Sequence, residues 1–152
     1  MEQIDVALDF LTVKSAVKGH FRKRWRAEVA AQKGIYSQAG VHRPPALPSH
    51  ISRKDEVTIH QIRTGRTPLV RSCWARYASK PEEERLCQNG CDVKETVQHL
   101  SWDCPMYSAQ RLEHFGTIYP EKDVLFQNPD KILKFLHDTG HSTAPATEDD
   151  LQ

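Results

Sequence analysis

The sequence has no long hydrophobic run. Its 152 residues are 38% hydrophobic and 27% charged, a composition that suits one modest domain with a small core. No segment has the length and apolar character of a signal peptide or a membrane-spanning helix. We therefore expect a soluble intracellular protein, located in the nucleus or the cytoplasm, without a membrane partner.

Recognisable catalytic signatures are also missing. The eight histidines accompany no nucleophile motif and no motif for a metal-activated water. Gly34 and Gly40 lie too far apart for a phosphate-binding loop, and no P-loop lysine follows them. The sequence therefore predicts a protein that is not an enzyme.

Cysteine is scarce, but three of the four cysteines lie close together. Within eighteen residues the chain has the pattern C-x3-C-x7-H-x4-C, formed by Cys87, Cys91, His99 and Cys104. Zn²⁺ prefers a tetrahedron of such thiolate and imidazole ligands, and a closed Cys₃His set leaves no position for a reactive water. We predict one structural Zn²⁺ here. The alternative is that these cysteines are free or disulfide-bonded. Cys73 stands apart and is predicted to be an ordinary buried thiol.

Local signals around this pattern suit a small metal-bound module. Asn89-Gly90 can form a positive-φ turn that directs the first two thiolates towards one ion. Thr96 is a candidate N-cap for a helix over residues 97–103 that carries His99 and ends before Pro105. The helix can dock on the rest of the fold through three apolar residues, Val97, Leu100 and Trp102.

Charge is distributed unevenly along the chain. Residues 1–80 hold 15 Lys/Arg against 6 Asp/Glu, whereas residues 81–152 hold 6 against 14, although the formal net charge is only +1. This asymmetry indicates either a polyanionic partner for the first half or pairing between the two halves.

The first segment, residues 1–36, is predicted to form a basic amphipathic helix over residues 5–31. Its apolar residues have helical spacing, and we expect their side chains to be buried. Gly19 is a candidate kink. The apolar stripe consists of Phe10, Val13, Val17, Phe21 and Trp25.

The remaining organisation is predicted from caps and breakers. Residues 37–51 form a proline-rich connector, residues 52–140 a helical domain containing the zinc module 87–104, and residues 141–152 a disordered acidic tail. Ser52 caps the second helix, Thr67-Pro68 begins the third, and Asn128 caps the last. The last helix is expected to bury Ile132, Leu133, Phe135 and Leu136. The fold class is mainly α.

Basic residues interleaved with aromatics indicate a surface for RNA or single-stranded DNA. In the first helix the candidate phosphate contacts are Lys18, Arg22, Lys23, Arg24 and Arg26. Neighbouring helices can widen the patch through Arg53, Lys54, Arg63 and Arg66. Residues 81–105 carry 2 Lys/Arg against 6 Asp/Glu and would repel phosphates, so zinc is expected to stabilise the fold rather than hold RNA.

Several motifs occur together in an order that resembles a known family. Residues 61–65 read Gln-Ile-Arg-Thr-Gly, residues 95–100 read Glu-Thr-Val-Gln-His-Leu, and residues 103–107 read Asp-Cys-Pro-Met-Tyr. With Arg53, Glu56, Leu69, Arg111 and a closing segment over residues 135–140, roughly residues 20–140 resemble the region that follows the reverse transcriptase and ribonuclease H domains of non-LTR retrotransposon polyproteins. Arg66 departs from the family, which commonly has histidine there.

The resemblance implies a zinc module with nucleic-acid binding as its usual role, detached from the catalytic domains. The chain lacks the carboxylate set of ribonuclease H and the aspartates of reverse transcriptase. We therefore expect a non-catalytic accessory module, whose further partners are the retroelement polyprotein or host proteins. The alternative is a zinc-stabilised protein–protein interaction module that binds no nucleic acid.

Overall fold

The computed structural model describes residues 10–31, 34–41 and 43–145, and this part of the chain is mainly helical, as predicted. It contains no named strand; Leu86 and Lys94 form an isolated antiparallel bridge. Short 3₁₀ turns span Glu82–Arg85 and Pro105–Tyr107, and a π turn spans His99–Asp103. The α-helices are α1 (Phe10–Ala31), α2 (Ile35–Gln38), α3 (Arg53–Thr64), α4 (Arg71–Tyr77), α5 (Ser108–Phe115), α6 (Val124–Gln127) and α7 (Pro129–Asp138).

The predicted caps of α3 and α7 are confirmed. Ser52 Oγ accepts a hydrogen bond from the Asp55 amide at 3.2 Å, and Asn128 Oδ1 accepts from the Asp130 amide at 3.0 Å. Gly65 follows α3 with φ of 71°, a left-handed conformation that glycine adopts without steric cost. A Cβ at this position would also approach Ile35 Cδ1 at 3.2 Å. The absence of a side chain at Gly65 therefore lets α2 pack closely against the end of α3.

The core joins the last helices to the segment around the candidate ligands. Val70, Leu100 and Leu125 are among its most buried members, and the docking residues Val97 and Trp102 are also buried, as predicted. Rings connect the elements: Tyr36 and Phe126 lie 4.8 Å apart between centroids, and Phe115 and Phe135 lie 4.9 Å apart. In α7, Ile132, Phe135 and Leu136 are buried as expected, but Leu133 is only half-buried.

The predicted start of the third helix is wrong. Thr67 is buried, and its hydroxyl accepts a hydrogen bond from the Leu69 amide at 3.3 Å within a turn that precedes α4. Helix α4 begins at Arg71, where Glu95 Oε1 accepts a hydrogen bond from the Arg71 amide at 3.0 Å. A distant carboxylate therefore caps this helix in place of a local threonine.

The predicted tail begins too early. His141 is buried and belongs to the packed domain, because its ring contacts both Glu95 and Thr139. Residues 142–145 are described after it, and the rest of the predicted tail, residues 146–152, lies outside the described residues.

Helix α1 is continuous through Gly19, but the expected burial of its stripe is wrong. The side chains of Phe21 and Trp25 are 62% and 60% exposed, and Phe10, Val13 and Val17 are exposed as well. Among the described residues, nothing covers this face. None of the described helices is both long and apolar enough to cross a membrane.

Candidate functional site

A tight loop brings the first two candidate ligands together. The bridge between Leu86 and Lys94 closes the loop, and the Cys87 amide donates to the Val93 carbonyl at 2.8 Å. Inside it, Gly90 has φ of 76°, and its amide donates to the Cys87 carbonyl at 3.1 Å. The positive-φ turn predicted at Asn89-Gly90 is therefore confirmed.

A short helical segment places the other two ligands. Thr96 is the predicted cap, and its Oγ1 accepts from the His99 amide at 3.1 Å. The segment then widens, because the Cys104 amide donates to the His99 carbonyl at 2.7 Å, an i→i+5 bond. In a regular α-helix of 3.6 residues per turn, positions five apart diverge by about 140° around the axis. The wider turn instead brings His99 and Cys104 to the same side.

The four candidate ligands form one cluster whose spacing fits a tetrahedral metal ion. The ligand atoms of Cys87, Cys91, His99 and Cys104 all lie within 4.8 Å of one another. Sγ of Cys104 lies 4.0 Å from Sγ of Cys87 and 3.7 Å from Sγ of Cys91. An ion with metal–sulfur bonds of about 2.3 Å holds tetrahedral sulfur ligands about 3.8 Å apart. These separations are too long for disulfides. The cluster can therefore bind a metal ion.

The electrostatics of the cluster agree with this function. Nε2 of His99 is buried and has no hydrogen-bonding partner in the described part of the chain. Burial lowers the pKa of His99, against Asp103 and Glu95, which raise it, and so favours the neutral imidazole that binds metals. Burial, followed by the contacts with Cys104 and Cys87, raises the pKa of Cys91 to about 12 in the absence of an ion. A bound cation would reverse that preference, because it stabilises thiolates.

Two buried charged side chains support the cluster, and sequence reasoning missed both functions. Arg111 donates from Nη2 to the Cys104 carbonyl at 2.7 Å and from Nε to the Ile118 carbonyl at 2.9 Å. Glu95 is 1% exposed and accepts from the Arg71 amide and from His141. Both residues occur in the motifs of the family resemblance, but charge alone gave no signal that they would be buried.

Cys73 was predicted to be an ordinary buried thiol, but it is only half-buried against the core. Its Sγ lies 3.7 Å from the Gly65 carbonyl, and it is not part of the metal-ligand cluster. The prediction that Cys73 stands apart from the ligands therefore agrees with its place in the fold.

Most of the predicted phosphate contacts lie on the surface. Arg24 pairs with Glu28 at 2.8 Å and Arg53 pairs with Glu56 at 2.7 Å, both at exposed positions. Of the other predicted phosphate contacts, those with exposed side chains and no ion pair among the described residues are Lys18, Arg22, Lys23, Arg26, Lys54 and Arg66.

The prediction that Arg63 contacts phosphates is wrong. Its side chain is 0% exposed, donates from Nε to the Leu125 carbonyl at 2.8 Å, and lies 5.4 Å from the ring centroid of Phe126. Burial lowers the pKa of Arg63, against the opposing effect of Tyr36. A guanidinium enclosed in the core cannot contact phosphates in this fold, so Arg63 is a structural residue.

Comparison with known proteins gives one informative similarity. The chain is 29% identical over 101 residues to a protein of Popillia japonica described as the "Retrovirus-related Pol polyprotein from type-1 retrotransposable element R2". The alignment covers 62% of this chain and 14% of the polyprotein, so the chain spans only a small part of that relative. No protein-family model and no solved structure matches the chain. The similarity supports a relation to retrotransposon polyproteins.

Proposed function

We propose that this chain is a non-catalytic nucleic-acid-binding module related to retrotransposon polyproteins, with one structural Zn²⁺ and a basic helix that contacts phosphates. The observation that carries the proposal is α1, a helix of 22 residues whose cationic side chains are exposed. Its target is RNA or single-stranded DNA. Other parts of a retroelement polyprotein, or host proteins, are the further partners.

Zinc is the metal that suits the four ligands. Three thiolates and one imidazole select a soft or borderline ion, and the tetrahedral spacing matches Zn²⁺. Because all four positions are supplied by protein, no position is left for a substrate or an activated water. The ion's role is therefore to hold the loop of Cys87 and Cys91 against the helical segment that carries His99 and Cys104.

The cation row of α1, which we define as Lys14, Lys18, Arg22 and Arg26, provides the phosphate contacts. Each of these residues lies four positions after the previous one, so their side chains follow one line along the helix. Like charges at this spacing repel one another, and none of the four has an ion-pair partner among the described residues. A polyanion that neutralises the row would remove this repulsion and release counterions.

The apolar stripe of α1 lies beside the cation row. Phe21 and Trp25 each precede a member of the row by one residue, and both rings are exposed. An exposed ring next to a phosphate-binding cation can stack on an unpaired base, which a duplex does not offer. This arrangement favours single strands over duplexes.

One observation supports a second function. An exposed apolar stripe on a helix is also the surface that a protein partner would cover, as expected for a zinc-stabilised protein–protein interaction module. The salt dependence of binding separates the two functions, because only phosphate contacts make log K fall steeply and linearly with the logarithm of salt concentration.

The test compares two double variants with the same change in net charge. Arg22→Gln with Arg26→Gln removes half of the cation row, and Lys131→Gln with Lys134→Gln removes two exposed cations of α7. Binding of a fluorescent single strand is measured by anisotropy from low to physiological salt. We expect the α1 variant to lower the slope of log K against log salt by about 1.4 and the α7 variant to leave it unchanged. Equal slopes in all three proteins would exclude α1 as the contact surface.

A further inference from the structure

A cleft of about 470 Å³ opens on the side of the domain where α4, the loop that carries Cys87 and Cys91, and the end of the described chain meet. Its walls include Arg71, Trp74, Glu84 and Gln88, and its lower part reaches the buried pair of Glu95 and His141. The volume is in the range of small-ligand sites, and it exceeds what one flat aromatic base requires.

Two opposite charges line this cleft without forming an ion pair. Arg71 and Glu84 are both half-buried, yet they form no ion pair with each other or with any other residue in the described part of the chain. With no ion pair between them, the guanidinium keeps its donors and the carboxylate keeps its acceptors available to a ligand in the cleft. The space between them therefore suits a ligand that accepts hydrogen bonds on one edge and donates them on another.

Besides the two charged side chains, the cleft is lined by an aromatic ring. Trp74 is half-buried in the cleft, and in the described residues its ring packs against no other ring and its indole N–H has no hydrogen-bonding partner. Such a ring is a stacking surface for a planar ligand.

We propose that this cleft binds one unpaired guanine base, stacked on Trp74 between Arg71 and Glu84; the proposal rests on the nucleic-acid-binding function above. Guanine presents two acceptors, O6 and N7, which match a bidentate guanidinium. Its N1–H and 2-amino group are two adjacent donors, which match the two oxygens of a carboxylate. Adenine, cytosine and uracil each lack a pair of adjacent donor groups, so none of them matches both the guanidinium and the carboxylate. Phosphates stay outside, because Glu84 repels them.

The experiment uses the full zinc-loaded chain and short uridine oligonucleotides that carry one central guanine, inosine or adenine, or none. We expect the guanine oligonucleotide to bind about tenfold more tightly than the adenine and all-uridine ones at low salt. Inosine, which lacks the 2-amino group, should lie between them. Glu84→Gln and Arg71→Gln should each remove the guanine preference.

The matched control is Glu83→Gln, an exposed neighbour outside the cleft that has the same charge change. It should keep the guanine preference, and zinc content should be the same in all variants. Equal affinity for the four oligonucleotides, with a steep salt dependence preserved, would overturn the guanine site and leave the phosphate contacts of α1 standing. If no oligonucleotide binds even at low salt, the proposed function itself fails.

Discussion

The carboxylate of Glu95 and the imidazole of His141 meet at 3.2 Å in the interior, although 46 residues separate them in the chain. The same carboxylate accepts hydrogen bonds from the Arg71 amide at 3.0 Å and the Gln88 amide at 3.4 Å. One buried side chain thus joins the loop of Cys87 and Cys91, the start of α4 and the end of the described chain. It contacts none of the four candidate ligands through a hydrogen bond, so its role is to fix the loop that carries them.

Replacing Glu95 with glutamine should destabilise the protein by about 3 kcal/mol. The substitution removes one charge of a buried pair and turns an amide N–H₂ group towards donors that need an acceptor. Denaturant unfolding at neutral pH measures the effect. Glu83→Gln, at an exposed position, is the control and should change the free energy of unfolding by less than about 0.5 kcal/mol. A similar small effect at Glu95 would contradict the proposed role.

The pH dependence of stability should report the same pair. Burial raises the pKa of Glu95, but the hydrogen bond from His141 and the amide of Arg71 lower it by more, so the folded value lies below the ordinary one. Such a group stabilises the fold fully above its unfolded pKa of about 4.3, and this stabilisation is lost as pH falls through the folded pKa. The difference in unfolding free energy between wild type and Glu95→Gln should therefore shrink below about pH 4.3. A constant difference throughout would contradict it.

Replacing Arg111 with lysine should lower the free energy of unfolding by about 2 kcal/mol. A single ammonium cannot donate to both of the separate carbonyls that the guanidinium reaches. Arg111 donates to the carbonyls of Cys104 and Ile118, and burial lowers its pKa. Since one of these carbonyls belongs to a candidate ligand, the variant should also release metal faster to a chelator. Arg53→Lys, on the surface of α3, is the matched control. Equal release rates would show that Arg111 does not stabilise the metal site.

The helices and the ligand cluster could be predicted because their signals are local. Ser52 and Asn128 cap their helices with their own side chains, and the ligand spacing requires only that eighteen residues fold around one point. The turn at Gly90 was predictable for the same reason, since positive φ favours glycine.

The errors have long-range causes. Arg63 and Arg66 are three residues apart on one charged segment, yet only Arg63 is enclosed, because α6 provides the Leu125 carbonyl that its guanidinium needs. The start of α4 depends on Glu95, and the burial of His141 depends on the same residue. In α1 the period of the stripe was right, but periodicity cannot say whether another element covers it.

Zinc analysis should find one Zn²⁺ per chain. Elemental analysis of the purified protein measures the metal, and replacing Cys87 and Cys91 with serine should abolish its retention, because serine provides no thiolate. Cys73→Ser removes a thiol that lies outside the cluster and should keep one equivalent. Stoichiometric zinc in the Cys87/Cys91 variant would contradict the assignment of these ligands. A different metal in the wild-type protein would contradict the assignment of zinc.

Replacing Phe21 and Trp25 with alanine should weaken single-strand binding without affecting stability. Both rings are exposed, so their removal creates no cavity, and the free energy of unfolding should change by less than about 0.5 kcal/mol. Each stacked base contributes about 1–3 kcal/mol, so affinity for a single strand should fall at least about tenfold. Tyr119→Ala, an exposed aromatic outside α1, is the control and should leave affinity unchanged. The salt slope should stay the same in both variants, since the cation row is intact. If affinity and slope are both unaffected by losing the two rings, α1 contacts phosphates through its cations alone, and neither ring stacks on a base.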